Sequence, residues 1–183
     1  VTFTPVPWTS NVSALVPSSE ILPADQILGA DASGVYFSRG ANLYRSSDGM
    51  TTSELIAPLP VALASDSQLR STPIGHFLRS GPSVRRSMDL SSWTTTFSTT
   101  HRSLRGGFDV FWDPLDEVGS VVVAEYSTDP NARHSVYVGT FPTGGSPAWR
   151  NVAEFGSINE GFADPTRLDV ARHVHAAAID PHT

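Results

Sequence analysis

The sequence predicts an all-β chain assembled from repeated four-stranded antiparallel units, and three observations carry that expectation. Abundant Ser and Thr with 14 Gly and 14 Pro, and no lysine, suit short strands and frequent turns better than long helices. Between Gly106 and Phe155 four β-rich runs follow one another, with turn residues between them. Upstream of them the same four-run pattern recurs twice in weaker spelling.

The first unit, residues 25–57, reads as strands at Gln26 to Ala30, Gly34 to Ser38, Asn42 to Arg45 and Ser53 to Ala57, with Asp31-Ala32-Ser33-Gly34 as its first turn. The second, residues 61–98, reads as Val61 to Ala64, Thr72 to Arg79, Ser83 to Ser87 and Trp93 to Phe97. The third, residues 106–155, is the clearest. Gly107 to Trp112, Ser120 to Tyr126, Ser135 to Phe141 and Trp149 to Phe155 are separated by Asp113-Pro114-Leu115-Asp116, Asp129-Pro130-Asn131 and Pro142 to Gly145.

A further unit opens near Arg172 and the sequence ends at Thr183, before a second strand. Four antiparallel strands in about 50 residues is the size of one propeller blade. The expectation over residues 1–183 is therefore a single β-propeller domain or fragment, incomplete at about three blades plus the start of a fourth. A two-sheet sandwich with chance Ser-x-Asp turns is the competing architecture.

An internal echo sharpens the reading. Arg105 to Pro114 aligns without a gap to Arg172 to Pro181, each an arginine-entered first strand that leaves through Asp-Pro. Asp31 and Asp66 read as the matching turn aspartates of the first two units, with Pro23 and Pro58 where the arginines would stand. Local rules favour a helix from Pro165 to Ile179, since Asp164-Pro165 is a good N-cap and Ala176 to Ala178 suit a helix. The echo favours a loop or short helical turn followed by a strand.

Bulk properties narrow the partners. Net charge is −6 and the pI is about 5.4, so the long-range field repels a phosphate backbone and nucleic acid is not expected. No apolar stretch reaches the roughly 20 residues of a membrane span. The absence of cysteine excludes disulfides, thiolate nucleophiles and cysteine-ligated metals. The N-terminal residues carry neither a basic region nor an apolar signal core, which fits an intracellular chain or a trimmed exported one.

Two segments resemble the Asp-box, or BNR-repeat, of the sialidase-type propellers, whose pattern is Ser-x-Asp-x-Gly-x-Thr-Trp on the hairpin between third and fourth strands. Ser46-Ser47-Asp48-Gly49-Met50-Thr51-Thr52 lacks the final aromatic, and Ser87-Met88-Asp89-Leu90-Ser91-Ser92-Trp93 is one residue short. The third unit keeps only Gly144-Gly145 and Trp149 there. An Asp or Ser side chain can bond turn amides while a Trp pins the hairpin, so Ser46, Asp48, Ser87, Asp89 and Trp93 read as fold-maintaining.

The resemblance implies an exported protein, extracellular or in the cell envelope, although a cytoplasmic one stays open. It also implies a layout in which first strands line a central channel. The loops entering first strands and those joining second to third strands share the ligand face, whereas Asp48, Asp89, Asp113 and Asp180 lie opposite. The ligand face then carries Thr99 to Arg105, Ser127 to His134 and the insertion Gly156 to Arg172.

Arg105 and Arg172 read as a converging pair that can hold the carboxylate of an acidic sugar, as the family's arginines do, with Arg167 on the insertion beside them. No tyrosine nucleophile can be assigned. His173 and His175 share one strand face and read as polar ligand contacts rather than a metal pair, because no third ligand has sensible spacing. Paired-carboxylate hydrolysis would use Asp109 in the channel with Glu160 or Asp164 above it. His76 inside a strand pattern reads as a core or edge histidine.

No nucleophile elbow, phosphate loop, dinucleotide fingerprint or zinc-protease helix occurs, and no cofactor or metal is expected. Two functions follow: a sialidase-like glycoside hydrolase acting on an acidic sugar at the channel mouth, or a non-catalytic module binding a glycan, a small polar ligand or a protein.

Overall fold

The computed structural model of the chain describes residues 24–99, 103–143, 145–164 and 166. Among them all regular structure is antiparallel sheet apart from one short helix. The first sheet holds β1 (Gln26–Asp31), β2 (Gly34–Arg39), β3 (Asn42–Ser46) and β4 (Glu54–Pro58). The second holds β5 (Gln68–Thr72), β6 (Gly75–Ser80), β7 (Ser83–Ser87) and β8 (Thr94–Ser98). The third holds β9 (Ser103–Asp113), β10 (Val118–Tyr126), β11 (His134–Pro142) and β12 (Ala148–Phe155), and α1 (Ile158–Ala163) follows.

Each sheet is a four-stranded meander in chain order. This connectivity gives the molecule two ends. Turns from first to second and from third to fourth strands lie at one end, the turn end. Turns from second to third strands, and the segments that enter each first strand, lie at the other, the entry end.

The first two sheets repeat each other at a constant offset through their third strands, falling to 40 residues in the fourth because the second hairpin is one residue shorter, and local chemistry explains the match. Gly34 and Gly75, Gly40 and Gly81, Ser46 and Ser87, and Asp48 and Asp89 are each 41 residues apart. Gly34 and Gly75 open their second strands at φ 140° and 123°. A Cβ at Gly34 would stand 2.2 Å from the Ser46 carbonyl oxygen, and one at Gly75 would stand 2.7 Å from that of Ser87. Only glycine meets both demands, the backbone angle and the close approach. In all three sheets the pairing of third with fourth strand slips by one residue, at Leu43/Tyr44, Val84/Arg85 and Val136/Tyr137. Such bulges add local twist.

The sheets stack face to face and bury two cores. Leu28, Tyr36 and Leu43 of the first meet Leu69, Leu78 and Leu90 of the second. On the other side of the second sheet, Ile74, Phe77 and Val84 meet Leu104, Phe108, Val121, Val123 and Phe141 of the third. The Phe77 and Phe141 rings pack edge to face with centroids 5.0 Å apart. The second sheet is thus buried on both faces, so the neighbours Phe77 and Leu78 on β6 are both inaccessible. First strands also neighbour one another, β1 against β5 and β5 against β9.

Two sequence readings change. Val61 to Ala64 is not a strand, and β5 begins only at Gln68. Asp66 therefore precedes the first strand of its sheet instead of following it, and the turn between β5 and β6 is formed by Pro73 and Ile74. The alternating Val61-Ala62-Leu63-Ala64 run misled because Leu63 does pack on the apolar core, but as an irregular segment. The insertion after Phe155 contains α1, capped by Ser157, whose Oγ accepts the Glu160 amide at 3.2 Å. The choice between helix and strand over 165–179 lies outside the described residues.

Candidate functional site

Two Asp-centred hairpins hold the turn end together. Asp48 Oδ1 accepts the Ser46 hydroxyl at 2.8 Å and the Thr51 and Thr52 amides at 3.1 and 2.9 Å, and its Oδ2 accepts the Thr52 hydroxyl at 2.6 Å. Bonds from Thr52 first, then from Ser46, hold this carboxyl down at about 2. Asp89 Oδ1 accepts the Ser87 hydroxyl at 2.9 Å and the Ser91 and Ser92 amides at 2.8 Å each. The backbone bonds of Ser92 and Ser91 likewise hold its carboxyl well below the usual range. Trp93 donates its ring N–H to the Leu90 carbonyl at 3.1 Å. Met50 and Leu90 take left-handed φ of 75° and 63° at matching places, and both side chains are buried. All these acceptors are spent on the turns.

The entry end carries a cleft of about 660 Å³ between β1 and β5, reaching Tyr126 at the end of β10. Beside it β1 and β5 approach closely, since a Cβ on Gly29 would stand 2.2 Å from the Leu69 carbonyl oxygen. Gln26 donates to the Ser65 and Ser67 carbonyls at 3.1 and 3.0 Å, which fixes the segment entering β5. Ser67 donates its hydroxyl to Ser80 Oγ at 2.8 Å.

Beneath lies an ion pair between Arg79 Nη1 and Asp66 Oδ2 at 2.7 Å, with the Arg79 side chain only 3% exposed. A second Arg79 nitrogen donates to the Asp66 carbonyl. A buried arginine survives only when so paired. Arg70 projects from β5 into the same cleft. Its described hydrogen bond runs from Nη1 to the Leu69 carbonyl at 3.2 Å, and no described carboxylate lies in ion-pair range of it. Among the described residues the cleft therefore holds one arginine neutralised by Asp66, one uncompensated arginine, a tyrosine and several amide and hydroxyl groups.

No family model, curated protein or solved structure matches this chain.

The sequence-predicted carboxylates lie elsewhere. Asp109, on β9, accepts the Val110 amide at 2.9 Å. Glu160 accepts Arg133 Nε at 2.9 Å and Nη2 at 3.2 Å, while Arg133 Nη1 donates to Glu154 at 2.6 Å. Asp164 caps the end of α1 and accepts the Thr166 amide and hydroxyl at 3.1 and 2.7 Å. None of the three lines the cleft between β1 and β5.

Arg105 lies within β9, and its side chain is outside the described part. Arg167, Arg172, His173, His175 and Asp180 lie outside the described residues. Two segments of the expected ligand face do meet. The Asn159 amide donates to the Pro130 carbonyl at 3.2 Å and its side chain to Asn131 at 2.7 Å, so α1 rests on the loop between β10 and β11. Asp113 accepts the Leu115 amide at 2.8 Å in the first turn of the third sheet.

Sequence reasoning missed Gln26, Arg70, Arg79 and Tyr126. The 41-residue offset was the available signal: it sets Arg70 against Gly29 and Arg79 against Ser38, two charges entering otherwise repeated positions. His76 is half-buried at the turn end, with Nδ1 2.9 Å from Ser71 Oγ, and burial pushes its pKa down against the pull of Asp31 and Asp89. Among the described residues no group of three potential ligands could hold a metal ion, and no helix is long and apolar enough to cross a membrane.

Proposed function

We propose that the three meanders are successive blades of a sialidase-type Asp-box propeller, and that its entry end binds carbohydrate in the cleft between β1 and β5. Support for the blade reading comes from chain-order meanders, neighbouring first strands and aspartate-held hairpins between third and fourth strands. The observation that carries the ligand reading is the composition of the cleft wall. Gln26, Ser65, Gln68 and Arg70 offer directional donors and acceptors, and Tyr126 offers an aromatic ring with a polar tip, the pairing that sugar hydroxyls and C–H faces require. The uncompensated Arg70 suits an acidic sugar better than a neutral one.

Binding is favoured over hydrolysis by paired carboxylates. That mechanism, common to most glycosidases but not to sialidases with a tyrosine nucleophile, needs two carboxyl groups flanking the scissile bond. Among the described residues the only carboxylate lining this cleft, Asp66, is bound to Arg79. The test is a panel of sialosides and neutral aryl glycosides offered to the full chain, read both as equilibrium binding and as turnover. Saturable binding without hydrolysis, weakened about tenfold or more by Arg70→Gln, is the expected result. Absence of binding across the panel, or binding indifferent to Arg70→Gln, would overturn the reading.

A further inference from the structure

The turn end holds a second cleft, about 630 Å³, between the hairpin joining β7 to β8 and the loop joining β11 to β12. Arg86, Met88, Asp89, Thr94, Pro142 and Pro147 are among its lining residues. The first sheet has a counterpart at the same place in its repeat, a recess of only about 200 Å³ lined by Arg45, Ser46, Thr52 and Glu54 among others. Arg45 and Arg86 are 41 residues apart. Their difference lies in the facing strand. Arg45 stands opposite Glu54 and forms an ion pair with it at 2.7 Å, whereas Arg86 stands opposite Thr94.

Arg86 is consequently a cation without a carboxylate. Its Nε donates to the Ile74 carbonyl at 2.9 Å, and Nη2 donates to the same oxygen. The guanidinium is held over the Phe77 and Phe141 rings at 5.9 and 5.5 Å. Nη1 has no hydrogen-bond partner among the described residues, and burial lowers the pKa of the group with no compensating acid. Asp89 lines the cleft too, but its Oδ1 is occupied by Ser87, Ser91 and Ser92.

We propose that this cleft is a binding site for a small organic carboxylate, which occupies on Arg86 the place that Glu54 holds on Arg45. The carboxylate would accept from Nη1 with the threonine hydroxyls of β8 alongside, and the carbon skeleton would lie against Met88, Pro142 and Pro147. The site lies at the end opposite the carbohydrate cleft and does not depend on it.

Benzoate and the uncharged isostere benzamide are titrated into the full chain by isothermal calorimetry or ligand-observed NMR. N-acetylglutamate amide serves as a further probe that separates a peptide side-chain carboxylate from a free organic acid. At least one carboxylate binds saturably, and benzoate binds about tenfold or more tighter than benzamide. Thr94→Glu rebuilds the first sheet's ion pair inside the cleft and abolishes carboxylate binding while leaving the protein folded and no less stable. Arg86→Gln also loses binding. Benzoate binding no tighter than benzamide, or carboxylate binding unchanged in Thr94→Glu, overturns the proposal.

Discussion

Replacing Gly34 by Ala tests the repeat geometry at its tightest point. The new Cβ would stand 2.2 Å from the Ser46 carbonyl oxygen, a distance real side chains do not tolerate, and φ at this residue is 140°. Holding a non-glycine residue in such a sparsely populated region costs about 1–3 kcal/mol. Pushing the β3 backbone aside to relieve the clash costs roughly another 1–3 kcal/mol, by analogy with an overpacked core. Because a protein of this length loses about 2–4 °C per kcal/mol, the melting temperature should fall by roughly 5–20 °C. Gly40→Ala is the control, with φ 57° and no atom within 4 Å of the added Cβ, and it should cost only the backbone term of about 1–2 kcal/mol. Thermal unfolding followed by circular dichroism measures both. A Gly34→Ala loss no larger than that of Gly40→Ala would refute the close approach, and with it the packing of the β1–β2 turn against the end of β3.

Phe77 faces the apolar core shared by the second and third sheets, so Phe77→Ala should cost about 3–5 kcal/mol in a urea titration. Asp48 is held at about 2, below its ordinary value of 3.8, so its contribution is complete above pH 4 and is lost as pH falls toward 2. Melting temperatures measured between pH 5 and 2 should fall less steeply in Asp48→Asn than in the wild type. Burial lowers the pKa of His76 below 6.5, which means the unfolded chain takes up a proton first and stability declines as pH drops below 6.5. His76→Gln should flatten that limb of the stability profile. Arg133 joins α1 and β12 through Glu160 and Glu154, so Arg133→Ala should speed amide hydrogen exchange in Ser157 to Asp164 while leaving global unfolding nearly unchanged.

The sequence exposed the strands whose side chains alternate against a core. All four strands of the third sheet were legible because they are long β-rich runs, carrying core residues such as Phe108, Val121, Val123 and Phe141, with turn residues between them. In the first sheet the glycine and aspartate turns marked the boundaries even where the strands were short. The second sheet failed at β5, Gln68-Leu69-Arg70-Ser71-Thr72, which has one buried apolar residue and four polar ones. A strand that lines a polar cleft and packs beside other first strands has no apolar alternation to display, so the apolar segment just before it drew the assignment. That slip also hid Arg79, buried at the end of β6 against Asp66. Helix α1 was signalled by Ser157-Ile158-Asn159-Glu160, a capping-box pattern inside a segment read only as an insertion.

Departures from the 41-residue repeat also locate the chemistry. Positions that keep it, such as Gly34 and Gly75 or Asp48 and Asp89, pack against or bond to their own sheet. Where Gly29 becomes Arg70 and Ser38 becomes Arg79, a charged cleft opens at the entry end. Where the acid facing Arg45 gives way to Thr94 facing Arg86, a second cleft opens at the turn end. A cation that has lost its internal partner keeps most of its desolvation cost until another anion arrives, so the change from Glu54 to Thr94 moves free energy from folding to binding. Restoring the lost residue should therefore move it back. Thr94→Glu should gain stability and lose carboxylate binding, and a variant that did neither would separate the internal repeat from any role in ligand recognition.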